Sequence, residues 1–292
     1  MFSLESKKIK RSESEIISDL HDAIWWMENK LELKVASTRI AKYEKYLSDK
    51  HSITSADDYK KFLLIRKELD EFLNISRIFS PSNDESLDKK IKNIISGNFF
   101  RFEAKKNKPD PSRDYLHELS VAAKLKKSGL SVDISGICDV VVKYLNKTLY
   151  IECKRVKSKS KLIKRIKEAD KQIKKRVGLR KANVAGYITI DITDLLIPLE
   201  ENYSILEYDD LKHFKEYSYE LLKNYSNKYG VRIRKEVGNR VYGVVFFSHF
   251  LGVIKNKINQ PVYQSCLYAL SCNRGKSTID DFNKKFFKCW VV

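Results

Sequence analysis

Three ionisable residues interrupt two runs otherwise rich in Val, Ile, Leu, Tyr and Cys. Asp139 lies in residues 137–145 (ICDVVVKYL), and Glu152 and Lys154 lie in residues 148–156 (TLYIECKRV). Both runs are β-rich and flank Asn146-Lys147, which predicts a hairpin. Side chains two apart on a strand share a face, so Glu152 and Lys154 point the same way. A symmetric turn at Asn146-Lys147 pairs 145 with 148, so opposed positions sum to 293 and Asp139 falls opposite Lys154, with Glu152 on the diagonal. Ionised groups on an apolar sheet cost free energy unless they are paired or bound to a metal. Two carboxylates offer the hard oxygen ligands that Mg²⁺ takes, with waters and a substrate phosphate completing its shell. A neighbouring lysine can orient or deprotonate an attacking water and offset charge developing at phosphorus. The chemistry this set could do is metal-assisted phosphodiester hydrolysis. The alternative is a structural Asp–Lys–Glu network on a solvated sheet face.

The elements that must position these groups follow from spacing and punctuation. Pro109-Asp110-Pro111-Ser112 stops the preceding chain, and Ser112 is expected to cap a helix that runs to Ser128, where Gly129 supplies the left-handed residue. On that helix Tyr115, Leu119, Ala122 and Leu125 form an apolar stripe with Glu118 inside it. A carboxylate there needs a cationic partner or a metal. Lysines 124, 126 and 127 face mostly elsewhere, which points to a metal or metal-bound water, the alternative being a snorkelling surface glutamate. Residues 130–134 read as a strand, and the hairpin follows. Residues 159–177 read as a helix with Leu162, Ile166, Ala169, Ile173 and Val177 on one stripe, and residues 184–192 (VAGYITIDI) as an apolar strand.

The expected class is therefore α/β, with helix–strand–strand–strand–helix–strand at its centre. Beyond it a helix is expected over 207–229, then a hairpin of 231–237 and 240–250 about Gly238-Asn239; residues 255–292 give no clear pattern. Residues 1–98 read as a near-neutral helical region, with Ile16, Leu20, Ala23 and Ile24, then Phe62, Ile65 and Leu69, at helical spacing and Trp25 and Trp26 in its core. Residues 99–292 then form the domain with the chemistry, its centre at 112–192 and an α+β extension at 193–292.

Glu118 on a helix, Cys138-Asp139, Glu152-Cys153-Lys154 one strand later, and Gln172 on the next helix together resemble the PD-(D/E)XK nuclease superfamily, also called restriction-endonuclease-like. The resemblance covers residues 112–192, less than a third of the chain, and departs from the motif name where Cys138 replaces proline. It implies a mixed sheet flanked by helices, Mg²⁺ or Mn²⁺ as cofactor, and Asp139 and Glu152 as metal ligands. Lys154 would position the water, Glu118 would be an accessory acidic residue, and Gln172 would match a glutamine of several family branches. It further implies a 5′-phosphate and a 3′-hydroxyl as products, DNA ahead of RNA as substrate, and defence against foreign DNA as a setting. Double-strand cutting would call for a homodimer, which no residue here marks.

Charge points to the same class of partner. The chain carries a net +19, and residues 101–192 alone carry +14, with 14 basic and 2 acidic residues between 154 and 181. Such local density suits a phosphate backbone. Arg155, Lys157, Lys159 and Lys161 lie just beyond the Glu-x-Lys run and are the expected grip. A non-catalytic nucleic-acid-binding protein on the same fold would share these features. No apolar run of 18 residues marks a membrane span, and the N-terminus does not read as a secretory signal. Five cysteines without a CxxC pair argue against a disulfide framework or zinc ribbon, so a reducing cytoplasm is expected. Gly275-Lys276-Ser277 lacks the upstream glycine of a phosphate loop, His117-Glu118 lacks the second histidine of a zinc protease, and Cys266, Cys272, Cys289 and His249 lack zinc spacing.

Overall fold

Apolar residues three and four apart build a set of helices in the first part of the chain. The computed structural model describes residues 2–5, 13–49, 55–81, 85–100, 110–136, 138–177, 183–196, 206–255, 261–272 and 277–290. These divide into two units: described residues 13–123 form a helical unit, and those from Lys124 on, with Phe2–Glu5, form a sheet unit.

In the helical unit, α1 (Glu13–Asn29) buries Ile16, Leu20, Ala23 and Met27 along one face. Of its tryptophan pair only Trp26 is in the core; Trp25 is 57% exposed with the Lys30 ammonium over its ring, which corrects the expectation for that residue. Next come α2 (Arg39–Ser48), α3 (Ala56–Phe79), α4 (Glu85–Ile95) and α5 (Pro111–Lys127), the last all but its final turn. The Ser55 hydroxyl accepts the Asp58 N–H at 3.1 Å and caps α3. At α5 the expected cap is displaced. Pro111 takes the first helical position, where its missing N–H costs nothing, and Ser112 sits inside the first turn, donating to Asp110 Oδ1 at 2.9 Å. Gly129, at φ +85°, ends α5 as expected, its N–H bonding to Lys126 and that of Leu130 to Leu125.

The sheet unit is a mixed α/β layer structure. Its strands are β1 (Phe2–Glu5), β2 (Ser131–Asp133), β3 (Val140–Tyr144), β4 (Lys147–Arg155), β5 (Val184–Asp191), β6 (Leu206–Tyr208), β7 (Val241–Ile254) and β8 (Pro261–Ser271). They run in the order β1-β8-β7-β5-β4-β3-β2, with β6 beside β7. β4, β5 and β7 are mutually parallel; β2, β3 and β4 pair antiparallel in sequence, as do β7 with β8 and β8 with β1. After β4 a short 3₁₀ turn (Lys159–Lys161) leads into α6 (Leu162–Val177). Together with α5 this gives the expected central order of helix, three strands, helix and strand.

Beyond β5 come α7 (Thr193–Leu196), α8 (Leu211–Glu236) and α9 (Ser277–Lys288). The strand expected at 231–237 is the end of α8. Phe214, Ser218, Leu222, Ser226, Gly230 and Ile233 form one buried row that carries the helix through Val231, itself 63% exposed. The C-terminal hairpin is therefore β7–β8, and residues 261–288 supply a strand and a helix that spacing did not reveal.

One sheet face packs against α6 and α8, with Ile166, Ile173, Ile188, Ile190, Val244, Phe246 and Phe214 in a common core. On the opposite face Tyr187 and Phe247 meet Phe286 of α9 and Trp290 just after it, with Tyr187 and Phe286 ring centres 4.8 Å apart and Phe247 and Trp290 5.7 Å apart. Buried on both sides, β5 has no exposed residue. Gly186 on β5 permits the close seating of α6, since a β-carbon there would lie 2.4 Å from Ile173 Cγ2. Among the described residues no helix is long and apolar enough to cross a membrane.

Candidate active site

The β3–β4 register decides what the hairpin presents. Tyr144 pairs with Lys147 and Val140 with Ile151, so the turn is Leu145-Asn146, with Leu145 at φ +52°. The expected pairing was off by two residues. A shift of one would have turned every side chain to the other face, whereas a shift of two preserves the faces. Asp139, immediately before β3, therefore lies across from Glu152 instead of Lys154, and all three groups still share one side of the sheet.

The contacts are close. Lys154 Nζ lies 3.1 Å from Glu152 Oε2 and 3.5 Å from Asp139 Oδ2. Asp139 Oδ2 also accepts the Cys153 N–H at 2.7 Å, which fixes the carboxylate to the backbone of β4. The other oxygen of Glu152, Oε1, is ion-paired with Arg176 near the end of α6 and lies 3.1 Å from Cys138 Sγ. Burial and the negative charge of Asp139 push the Cys138 thiol up to about 11, so it stays protonated, with its one proton shared between that oxygen and the Ile151 carbonyl at 3.0 Å. Glu152 has no exposed side-chain surface, whereas Lys154, Asp139 and Arg176 are 16%, 20% and 24% exposed. The cluster is thus closed at the glutamate and open to solvent at its other three members.

Two carboxylates and two cations make it neutral. The donor set fits a small divalent ion: one oxygen of each carboxylate already faces a single positive centre, the Lys154 ammonium, and Mg²⁺ is held by one or two carboxylates with water and phosphate for the rest. Asp139 and Glu152 are the residues that would hold it. No group of three or more His, Cys, Asp or Glu side chains among the described residues has a metal-binding arrangement.

No protein-family model and no curated protein matches this sequence.

The remaining residues singled out by sequence fall in several places. Glu118 belongs to the helical unit, where Lys90 Nζ lies 3.1 Å from its Oε2, so its stripe carries a lysine partner. Gln172 is exposed on α6, one turn before Arg176. Arg155 points away from Lys154 and is buried, pairing with Asp191 at 3.4 Å and Asp194 at 3.2 Å. Asp191 in turn accepts the Thr193 N–H at 2.9 Å, so Arg155 ties β4 to the β5–α7 junction and is not offered to a phosphate backbone. Lys157 is half-buried, while Lys159 and Lys161 are exposed on the 3₁₀ turn. Exposed Lys164, Lys171 and Lys175 extend them along α6. His249 Nδ1 lies 2.8 Å from Ser265 Oγ, and Cys266 is buried in β8, away from any metal-like grouping. Spacing alone overlooked Arg176. Its position four residues after Gln172, on the same helix face, was the available signal.

Proposed function

We propose that this protein is a metal-dependent nuclease of the restriction-endonuclease-like type, hydrolysing phosphodiester bonds of DNA. The observation that carries the reading is the convergence of Asp139 and Glu152 on the Lys154 ammonium at a solvent-open place on the sheet. Mg²⁺ or Mn²⁺ held by the two carboxylates would supply Lewis-acid polarisation of the scissile phosphate. Lys154, the cation nearest both carboxylates, orients the attacking water and offsets charge developing at phosphorus. The Cys153 N–H and the Cys138 thiol keep the two carboxylates aimed, as outer groups do in metal sites. Lys157, Lys159 and Lys161, with the exposed lysines of α6, would grip the backbone flanking that phosphate. Backbone contacts carry no sugar information, so DNA ahead of RNA rests on the family resemblance, as does defence against foreign DNA, while a cytoplasmic setting rests on the cysteine usage.

A second reading has an observation of its own. Because Lys154 and Arg176 already neutralise both carboxylates, the cluster could be a structural ion network in a nucleic-acid-binding protein without catalysis. Cleavage of plasmid, linear duplex, single-stranded DNA and RNA with Mg²⁺ or Mn²⁺, against EDTA controls, separates the two. Under the nuclease reading EDTA, Asp139→Asn and Lys154→Ala each abolish cleavage while nucleic-acid binding survives. Absence of cleavage on every substrate with either metal would leave the binding reading.

A further inference from the structure

Glu152 is completely buried, and a buried carboxylate is tolerated only with compensating charge. In the state described, Lys154 holds Oε2, and Arg176 and the Cys138 thiol hold Oε1. A divalent ion arriving at Asp139 and Glu152 would leave a surplus of two positive charges, beside the exposed Lys171 and Lys175 of the same helix. The surplus is relieved by an anion, by departure of a cation, or by both. Lys154 is paired with both carboxylates, from the strand that also carries Glu152. Arg176 is the most exposed of the four groups and is carried by the neighbouring helix, not by the strands that hold the carboxylates, so its departure toward solvent leaves Asp139 and Glu152 in place. No other acidic side chain among the described residues is paired with it. A guanidinium released toward solvent presents the planar fork that matches a phosphate in two hydrogen bonds.

We infer that Arg176 is the resident counter-cation of Glu152, and that it makes divalent-ion binding conditional on a phosphodiester, to which it transfers. This rests on the nuclease reading above and adds a regulatory property to it: metal and nucleic acid bind with positive coupling, and each raises the affinity for the other by the same factor. An enzyme built this way loads metal weakly alone and tightly with substrate.

The test is Mn²⁺ binding by electron paramagnetic resonance on the full chain, with and without an uncleavable phosphorothioate duplex. The proteins are wild type, Arg176→Gln, Arg176→Lys and Asp139→Asn, with circular dichroism as the check on folding. Expected are weak binding by wild type that tightens with duplex, and binding by Arg176→Gln without duplex at least about tenfold tighter than wild type, because a unit positive charge beside the ion has been removed. Arg176→Lys, which keeps the charge, should stay near wild type, and Asp139→Asn should bind no ion. Equal Mn²⁺ affinity in wild type and Arg176→Gln, both lost in Asp139→Asn, overturns the role of Arg176 and leaves the metal site standing. Tightening in Arg176→Lys equal to that in Arg176→Gln overturns it too, because packing rather than charge would then be the cause. Absence of Mn²⁺ binding in every protein, with and without duplex, overturns the nuclease reading itself.

Discussion

Two ionic clusters in this protein have nearly the same composition and opposite character. In the helical unit Glu68 receives Arg113 through two nitrogens at 2.8 and 3.2 Å, Arg39 at 3.2 Å and the Tyr43 hydroxyl at 2.8 Å. In the sheet unit Glu152 receives Lys154, Arg176 and the Cys138 thiol. Around Glu68 the cations are also anchored to backbone: Arg39 donates to the Ile94 carbonyl at 2.8 Å, and Arg113 to that of Phe99 at 3.4 Å. Arg39 and Arg113 keep almost no exposed surface. That cluster ties α2, α3 and α5 to the chain after α4. Each cluster has a second carboxylate: Asp110, buried 3.3 Å from Arg113, beside Glu68, and Asp139 beside Glu152, but only around Glu152 do three of the four charged groups reach solvent. Counting charges does not separate a strut from a site. What separates them is whether the cations are committed to backbone and whether the charged groups reach solvent.

The contrast predicts unequal responses to mutation. Glu68→Ala takes the carboxylate from buried Arg39 and leaves buried Arg113 with Asp110 alone, and should cost about 3–5 kcal/mol in denaturant unfolding, whatever it does to nucleic-acid binding. Asp139→Asn should do the reverse, lowering cleavage by about 10²-fold or more while changing stability by about 1 kcal/mol or less. A variant at 139 that unfolds the protein as severely as Glu68→Ala would erase the distinction.

Acid titration sharpens it. Burial pushes the Glu68 carboxyl upward, but Arg113 and Arg39 outweigh it and hold the group at about 2, against an ordinary 4.5. A lowered folded-state value means that its contribution is complete above pH 4.5 and is lost as pH falls through about 2. Over that interval unfolding stability should drop by about 3 kcal/mol in wild type, and Glu68→Gln should show no such component. The smallest effect belongs to the surface grip. Lys159→Ala and Lys161→Ala should each reduce the salt dependence of nucleic-acid binding by about one unit of slope, with stability unchanged.

Much of the sheet unit was legible because its signals are local. The apolar run of β5, the stripe of α6 and Gly129 after α5 each act within a few residues. The shared face of Asp139, Glu152 and Lys154 was legible for a firmer reason: strand alternation depends on parity, and parity survived the two-residue error in the turn. Where the chain had to choose between local and distant preferences, reading failed. Val231, Arg232, Ile233 and Arg234 alternate like a strand, yet the buried row from Phe214 to Ile233 keeps them helical. Arg155 belongs by sequence to the basic run, but its strand turns it to the opposite face, onto two aspartates. Arg176 meets Glu152 across a helix–sheet packing contact, which no spacing rule encodes.

The missing side chain at Gly186 has a reach beyond β5. Because α6 rests directly on that position, the thickness of one methyl group sets how far the helix stands off the strands. Enlarging residue 186 would lift the platform that carries Arg176 without substituting any charged residue. It is a mechanical handle on the electrostatics, available to evolution or to an engineer who wants to detune the cluster without editing its chemistry.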